Sequence, residues 1–343
     1  MVNYYSKIFG KTIEQKIPFI IHWELTYRCN LKCQHCYVIP EDGKQELDTR
    51  KVKEILSALA RANALFLIWS GGEVLCREDF LEIIRFAYKL GFAQRIFTNG
   101  TRLSKEIIKE IKKIHPLSVE VSLYGIKSST HDKITQVEGS FDKTFKALFR
   151  LKEENINIAL KCMVLKENLG EFKEVEKLSQ NLEAKFIYDF NIAPRRDGSL
   201  VPIEKRLTGK DLEEFIRSRP MNLECLSSQS TNSLFCNAGV NNFAISPGGE
   251  VFPCVGIREK IGNILEDSID KLQRAPLLEK LRKRKISFLS DCQGCLLIPY
   301  CSRCYGIAQM EDGNLWGKSS RACEVAEIVK KVTEERLKEK EVA

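Results

Sequence analysis

Apolar positions follow two different periods along the first half of the chain. Short runs at 19–25, 65–69, 95–97, 119–123, 158–164 and 186–190 have the length and apolar content of buried strands. Between them the apolar residues recur every three or four positions. Val52, Ile55, Leu56 and Leu59 form one such stripe, and Phe80, Ile83, Ile84, Ala87 and Leu90 a second. Ile107, Ile108 and Ile111 form a third, and Phe145, Leu148, Phe149, then Val175 and Leu178, continue the series. Asp48 or Thr49 and Ser104 stand where N-caps belong, and Gly91 where a helix ends. Six repeated strand–helix units predict an α/β fold with a parallel sheet and right-handed crossovers. An open doubly wound sheet and a partial barrel satisfy this pattern equally.

After residue 190 the pattern changes. Pro194, Gly198, Pro202, Gly209 and Pro220 punctuate a bridging segment, 191–224, with one helix expected near 212–216. Residues 225–325 are rich in Cys and Gly and show little periodicity, so a poor apolar core held by metal is expected there. The division expected is an N-terminal extension at 1–17, a strand–helix domain at 18–190, the bridge, a Cys-rich domain at 225–325, and a helical tail at 326–343. No apolar run reaches the roughly 20 residues of a membrane span, and no signal peptide is visible. A cytoplasmic location is the expectation. The 54 basic and 46 acidic residues leave a charge of +8, spread along the chain. The run 282–285 reads as a solvated helix face, with an acidic peptide or nucleic acid as the alternative.

The 13 cysteines change the picture most. In a reducing compartment, clustered cysteines indicate metal or catalysis rather than disulfides. Cys29, Cys33 and Cys36 are spaced C-x3-C-x2-C directly after the first strand, where α/β folds place their sites. Three thiolates on a four-iron cubane leave one iron open to chemistry. The alternative is a zinc knuckle with His35 as fourth ligand, a poor geometry because His35 lies between two of the cysteines. Farther on stand Cys225, Cys236 and Cys254, the dense C-x2-C-x5-C-x2-C of Cys292, Cys295, Cys301 and Cys304, and Cys323. Two four-thiolate zinc sites are the structural alternative for these. The isolated Cys76 and Cys162 read as small core residues.

The N-terminal spacing resembles the signature of the radical S-adenosylmethionine (SAM) superfamily. The likeness continues in Ser70-Gly71-Gly72-Glu73 after the second strand, Thr98-Asn99-Gly100 after the third, Ser122-Leu123-Tyr124-Gly125 at the fourth, and His131-Asp132 beyond it. The resemblance implies a partial (β/α)6 barrel of TIM type, followed by a small iron–sulfur domain. It implies a [4Fe–4S] cluster on Cys29, Cys33 and Cys36, with SAM chelating the open iron. Gly71, Gly72 and Glu73 would then serve its methionyl amine, Thr98, Asn99 and Ser122 its carboxylate or ribose, and His35 and Tyr37 its adenine. Relatives often carry an Arg for that carboxylate; here Thr135 stands near its position, and Lys133 or Lys161 are the substitutes.

The C-terminal array resembles the SPASM extension. That likeness assigns Cys236, Cys254 and Cys304 to one auxiliary [4Fe–4S] cluster and Cys292, Cys295, Cys301 and Cys323 to a second. The first would have an open iron or take Cys225 as its fourth ligand. The activity implied is reductive cleavage of SAM to a 5′-deoxyadenosyl radical, hydrogen abstraction, and oxidation through the auxiliary clusters. Maturation of a ribosomally made peptide or protein leads, with oxidation in tetrapyrrole or other small-molecule synthesis as the alternative and a non-catalytic iron–sulfur or zinc scaffold as a third reading. The expected partners are a peptide substrate and an electron donor such as ferredoxin or flavodoxin. A separate leader-recognition protein, or direct recognition of the peptide, is also expected, because the stretch before Phe19 is too short for a leader-binding domain. Neither membrane nor nucleic acid is expected. Arg195 and Arg196 would clamp a substrate carboxylate if they are not a surface turn, and Asp189 is a candidate base or a loop contact.

Overall fold

The computed structural model of the chain describes residues 4–39, 46–219 and 236–342, so Cys225 lies outside the described residues. Six parallel strands stand side by side in the order they occur: β1 (Ile20–Thr26), β2 (Phe66–Gly71), β3 (Ala93–Thr98), β4 (Ser118–Ser122), β5 (Ile158–Met163) and β6 (Lys185–Asp189). A doubly wound sheet reverses its strand order partway. Across these six strands the order does not reverse, so right-handed crossovers put the helices between them on one face. The result is an open (β/α)6 barrel with a lumen on the other face.

The alternation along each strand divides the two faces. Ile21, Trp23, Leu67, Trp69, Ile96 and Val121 point to the helices and are fully buried or nearly so. Burying each such side chain contributes about 1.5–3 kcal/mol. The indole of Trp69 also donates to Gln94 Oε1 at 2.7 Å, which satisfies its one polar atom in the core. The helices that cover this layer are α2 (Thr49–Arg61), α3 (Phe80–Lys89), α4 (Lys105–Lys112), α6 (Ser140–Glu153) and α7 (Phe172–Asn181); α5 (Ser128–Thr135) packs on α6, and α1 (Tyr4–Glu14) precedes the barrel. Asp48 caps α2 by accepting from Lys51 N at 2.8 Å, and Ser104 caps α4 by accepting from Ile107 N at 3.2 Å.

The Cys-rich region differs from its expectation. It does not have a separate, poor core. β7 (Asn242–Ile245) pairs in parallel with β1, from Ile20↔Asn242 to Trp23↔Ile245, and β8 (Glu250–Phe252) and β9 (Gly262–Asn263) extend the same sheet antiparallel. Phe243, Ile245, Val251, Leu278 and Leu281 belong to one continuous core with Trp23 and Leu59. A four-residue strand is too short to display a period, which is why the pattern hid it. In the bridge, α8 (Gly209–Ser218) buries Leu212, Phe215 and Ile216. The long terminal helix, Ser320–Val342, packs along α8, with Lys331 Nζ 2.9 Å from Glu213. Among the described residues no helix is long and apolar enough to cross a membrane.

Candidate active site

The loop after β1 carries Cys29, Cys33 and Cys36 and is fastened to the C-terminal end of α5. Lys32 N donates to Thr135 O at 2.9 Å and Gln34 N to Ile134 O at 3.0 Å. Thr135 is therefore fully buried structural support, its hydroxyl 2.7 Å from Ser140. Cys33 packs on a small apolar cluster of Tyr124, Ile134, Leu165 and Ile192. Burial pushes the Cys29 thiol up to about 12, and Cys33 and Cys36 upward as well. Thiols so placed ionise only when a bound cation compensates the charge.

One backbone feature recurs. The N–H two residues after the cysteine meets the sulfur at Cys29 (from Leu31, 3.5 Å) and at Cys36 (from Val38). The same occurs at Cys236 (Ala238), Cys254 (Gly256) and Cys301 (Arg303). Donors aimed at sulfur favour the thiolate and tune clusters held by it. A donor set of thiolates with backbone N–H groups aimed at sulfur fits iron–sulfur clusters.

The two glycines of the β2 loop are required by the chain itself. A Cβ on Gly71, whose φ is +120°, would lie 2.1 Å from Thr26 O; one on Gly72 would lie 2.3 Å from Arg28 O. Their close approach lets Gly72 N and Glu73 N donate to Thr26 O and Arg28 O, both at 2.8 Å, tying the end of β2 to the cysteine loop. Glu73 is fully buried and gathers three more donors: Thr98 Oγ1 at 2.8 Å, Asn99 N at 2.7 Å and Leu75 N at 3.1 Å. Burial raises its pKa against those donors. Asn99 Nδ2 donates to Asn30 Oδ1 at 3.1 Å, so the third strand end also holds the cysteine loop. Ser122, half-buried on β4, faces the lumen.

His35 meets Tyr124 edge-on at 4.7 Å, its Nδ1 is buried without a partner, and burial lowers its pKa to about 4. His131 accepts from Tyr124 N at 3.2 Å through Nδ1. Asp132 starts α6 by accepting from Gly139 N, Ser140 Oγ and Phe141 N at 2.7–2.8 Å. The His-Asp pair is scaffold under the cysteine loop.

The lumen holds groups that the sequence reading missed. Glu24 on β1 is 1% exposed, accepts from Tyr37 Oη at 2.9 Å and Tyr27 Oη at 3.3 Å, and pairs with Arg196. Burial lifts Glu24 to about 7, against the Tyr37 bond and the field of Arg258. Arg196 stacks on Tyr27 at 4.4 Å and is thus committed to Glu24 rather than open to a substrate carboxylate. Tyr37 gives its hydroxyl to the same carboxylate. An inward polar residue at an even position of β1 was the only available signal. Deeper in, Glu120 lies between Arg95 (2.5 Å from Nε) and Lys161 (3.4 Å), whose ammonium sits 3.4 Å from the centre of the Phe97 ring. Lys133 is exposed on α5. Asp189 accepts from Asn191 N at 2.8 Å, a loop contact.

Cys162 is buried in the core, with Asn168 Nδ2 at 3.7 Å, and points away from the lumen. Cys76 differs from its expected core position. It is half-buried, 4.0 Å from Asn30 Oδ1 and within the field of Cys29.

The remaining cysteines fall into two electrostatically linked sets. Cys236, Cys254 and Cys304 form one, and Gly256 would bring a Cβ within 4.0 Å of the sulfurs of Cys254 and Cys304. Cys292, Cys295, Cys301 and Cys323 form the other. The first set lies toward the barrel, because Arg258 feels Cys254, Glu24 and Tyr37 together.

An open (β/α)6 barrel with this loop after β1 defines a class. Residues 23–178 match the radical SAM superfamily and residues 236–305 an iron–sulfur cluster-binding domain of the SPASM type. The chain belongs to the radical SAM superfamily with a C-terminal SPASM domain, and its cofactors are SAM, a [4Fe–4S] cluster and auxiliary iron–sulfur clusters. Among its relatives, the antilisterial bacteriocin subtilosin biosynthesis protein AlbA of Bacillus subtilis is 28% identical over 311 residues, 85% of this chain and 68% of AlbA. The AdoMet-dependent heme synthase of Methanosarcina barkeri is 25% identical over 331 residues, 87% of this chain and 94% of that enzyme. The structure of Streptococcus suis SuiB bound to precursor peptide SuiA has a TM-score of 0.71 at 18% identity, over 93% of this chain and 79% of SuiB. That likeness is one of fold.

Proposed function

We propose that the protein oxidises a side chain of a ribosomally made peptide by radical chemistry. The observation that carries this is the match to a bacteriocin biosynthesis protein over 85% of the chain, through both the barrel and the Cys-rich region. When bound, the reduced cluster supplies the electron that splits SAM and yields the 5′-deoxyadenosyl radical that abstracts hydrogen. In this reading Cys29, Cys33 and Cys36 hold the cluster, and His35 packs beside the adenine with Tyr37 at its edge. Gly71, Gly72 and Glu73 shape the cradle of the methionyl amine by locking β2 to the cysteine loop. Asn99 and Ser122 line the side of the carboxylate and ribose, Thr98 supports Asn99 through their shared partner Glu73, and Lys161, paired with Glu120, stands on the lumen wall. Cys236, Cys254 and Cys304 hold the auxiliary cluster nearer the barrel, and Cys292, Cys295, Cys301 and Cys323 the farther one.

Glu24 is the group suited to hold a proton at its carboxylate oxygen during net oxidation, since it is buried and poised near neutrality. A second reading, oxidation in tetrapyrrole synthesis, draws on the heme synthase that aligns over 94% of its own length.

The test is 5′-deoxyadenosine formation by reconstituted protein, with mass spectrometry of candidate precursor peptides and, separately, of porphyrins. A peptide losing 2 Da with stoichiometric 5′-deoxyadenosine is the expected result. Turnover of a porphyrin and of no peptide would replace the first reading with the second. Full iron loading without any SAM cleavage would reject both.

A further inference from the structure

The cations of the lumen outnumber its carboxylates. Arg95 and Lys161 flank Glu120, at 2.5 Å from Nε and at 3.4 Å, and Arg196 pairs with Glu24. Burial, then the fields of Lys161, Arg95 and Arg196, lower His22 on β1 to about 3, so these cations act on one space. A further cation, Arg258, stands at the same space without a carboxylate of its own.

Arg258 follows Cys254 on the turn after β8, and the turn is rigidly held. A Cβ on Gly306 would stand 2.2 Å from Gly256 O, and the N–H groups of Gly256 and Ile257 both meet the sulfur of Cys254. Ile257 is fully buried, and Arg258 N donates to Gln309 Oε1 at 3.1 Å. The guanidinium, by contrast, is largely unspent. Nη2 donates to Val255 O at 3.1 Å, Nε is buried without a partner, and among the described residues Arg258 forms no ion pair. A buried donor left unpaired is costly, and a native fold that keeps one calls for a reason.

The surroundings point to an anion. Arg258 lies in the field of Glu24 and Tyr37 on one side and of Cys254 on the other, between the lumen and the first auxiliary set. Glu24 is already taken by Arg196, Tyr37 and Tyr27. Burial and then the field of Arg258 lower Arg196 to about 9. Glu250, whose field opposes that shift, is turned to Lys260 at 3.4 Å. Two guanidinium groups thus share one carboxylate.

We infer that Arg258 binds a carboxylate of the substrate and so holds the reacting residue between the cysteine loop and the cluster on Cys236, Cys254 and Cys304. In the peptide reading, on which this rests, the substrate class is a peptide with an acidic side chain, or its own C-terminus, close to the residue oxidised. A guanidinium suits that task because paired N–H···O bonds to a carboxylate fix its orientation as well as its affinity. Arg95 and Arg196 are less suited, since each already carries a carboxylate.

The experiment uses the reconstituted holoprotein and short probes labelled with carbon-13 at one carbonyl carbon. They are acetyl-Gly-Glu-Gly-amide, its Gln counterpart, and acetyl-Gly-Gly-Gly with a free C-terminus. The clusters are reduced with dithionite, and paramagnetic broadening of the labelled carbon is followed against probe concentration. Saturable broadening with a midpoint of about 1–10 mM is expected for the Glu probe or for the free C-terminus, and the one that binds identifies the source of the carboxylate. The Gln probe should bind at least about tenfold more weakly than the Glu probe if the side chain is that source. Arg258→Gln should weaken the carboxylate probe by at least about tenfold, and Arg258→Lys, which keeps the charge without the fork, by less. Iron content shows whether each variant is loaded, and the comparison of probes on wild type stands without any variant. Wild-type binding of the carboxylate by iron-loaded Arg258→Gln would overturn the inference, as would no saturable binding of either carboxylate. A shift in the auxiliary-cluster potential in Arg258→Gln with carboxylate binding unchanged would also sink it, and would make Arg258 a partner of the cluster alone. Probe binding is read without turnover. Holoprotein that binds the carboxylate and oxidises no peptide would therefore refute the peptide reading and leave this site standing, while undiminished oxidation of a peptide without any carboxylate would do the reverse.

Discussion

Replacing Gly71 with Ala isolates the contact that closes the SAM cradle. The new Cβ would sit 2.1 Å from Thr26 O, about 1 Å closer than real Cβ atoms come to anything, and the φ of +120° is strained for any L side chain. Backbone strain contributes about 1–2 kcal/mol. Relieving the collision requires the end of β2 to move off β1, which breaks the bonds from Gly72 N to Thr26 O and from Glu73 N to Arg28 O, both 2.8 Å. Each is worth about 1 kcal/mol net. The expected loss is therefore about 3–4 kcal/mol. Gly91→Ala is the control, since Gly91 has a φ of +87° but nothing within 4 Å of its added Cβ, so it should lose only the strain, about 1–2 kcal/mol. Urea denaturation of the two apo variants, followed by fluorescence of the buried Trp23 and Trp69, measures the difference. Iron retention and SAM binding of the reconstituted proteins should fall for Gly71→Ala alone. Equal stability of the two variants, within about 0.5 kcal/mol, would refute the claim that the close approach of the strand ends dictates glycine.

Three further outcomes are expected. Burial lowers His131 to about 4, below its unfolded value, so its contribution is complete above pH 6.5 and is lost as pH falls toward 4. Linkage puts that loss at about 2 kcal/mol between pH 7 and 5, and His131→Gln should flatten the difference between urea midpoints at those two pH values. Cys292→Ala should lose the iron of one auxiliary cluster while Cys76→Ala retains full iron, as elemental analysis of purified protein would show; equal loss from both would contradict the assigned sets. Cys162→Ser places a hydroxyl in the apolar core and should cost about 1–3 kcal/mol, with no change in iron content.

The barrel was legible because its strands and helices are long enough to show their periods. The stripe Val52, Ile55, Leu56 and Leu59 and the caps at Asp48 and Ser104 stand where the pattern put them. The choice between barrel and doubly wound sheet was not legible, since strand order is a long-range property. The cysteine spacing drew the reading to the loop after β1, and the division of the C-terminal cysteines, interleaved in sequence, came from the resemblance alone. What escaped was carried by single residues meeting across the chain. Glu24 and Arg196 are far apart in sequence, and neither residue type signals the other. The β7 strand, four residues long inside a Cys- and Gly-rich stretch, offered too little pattern to be read as part of the barrel sheet. The glycines after β2 were read as room for a ligand, whereas the room is first taken by the backbone of Thr26 and Arg28.

The pairing of β7 with β1 has a mechanical corollary. The cysteine loop follows β1 and Cys254 follows β8, two strands away in the same hydrogen-bonded sheet. The ladder works as a ruler: where the Cys-rich region stands against the barrel is set by strand pairing, not by the length of polypeptide running from β6 to β7. Insertions or deletions in that connection would leave the pairing unchanged, while a one-residue slip of β7 against β1 would turn its inward side chains outward at once.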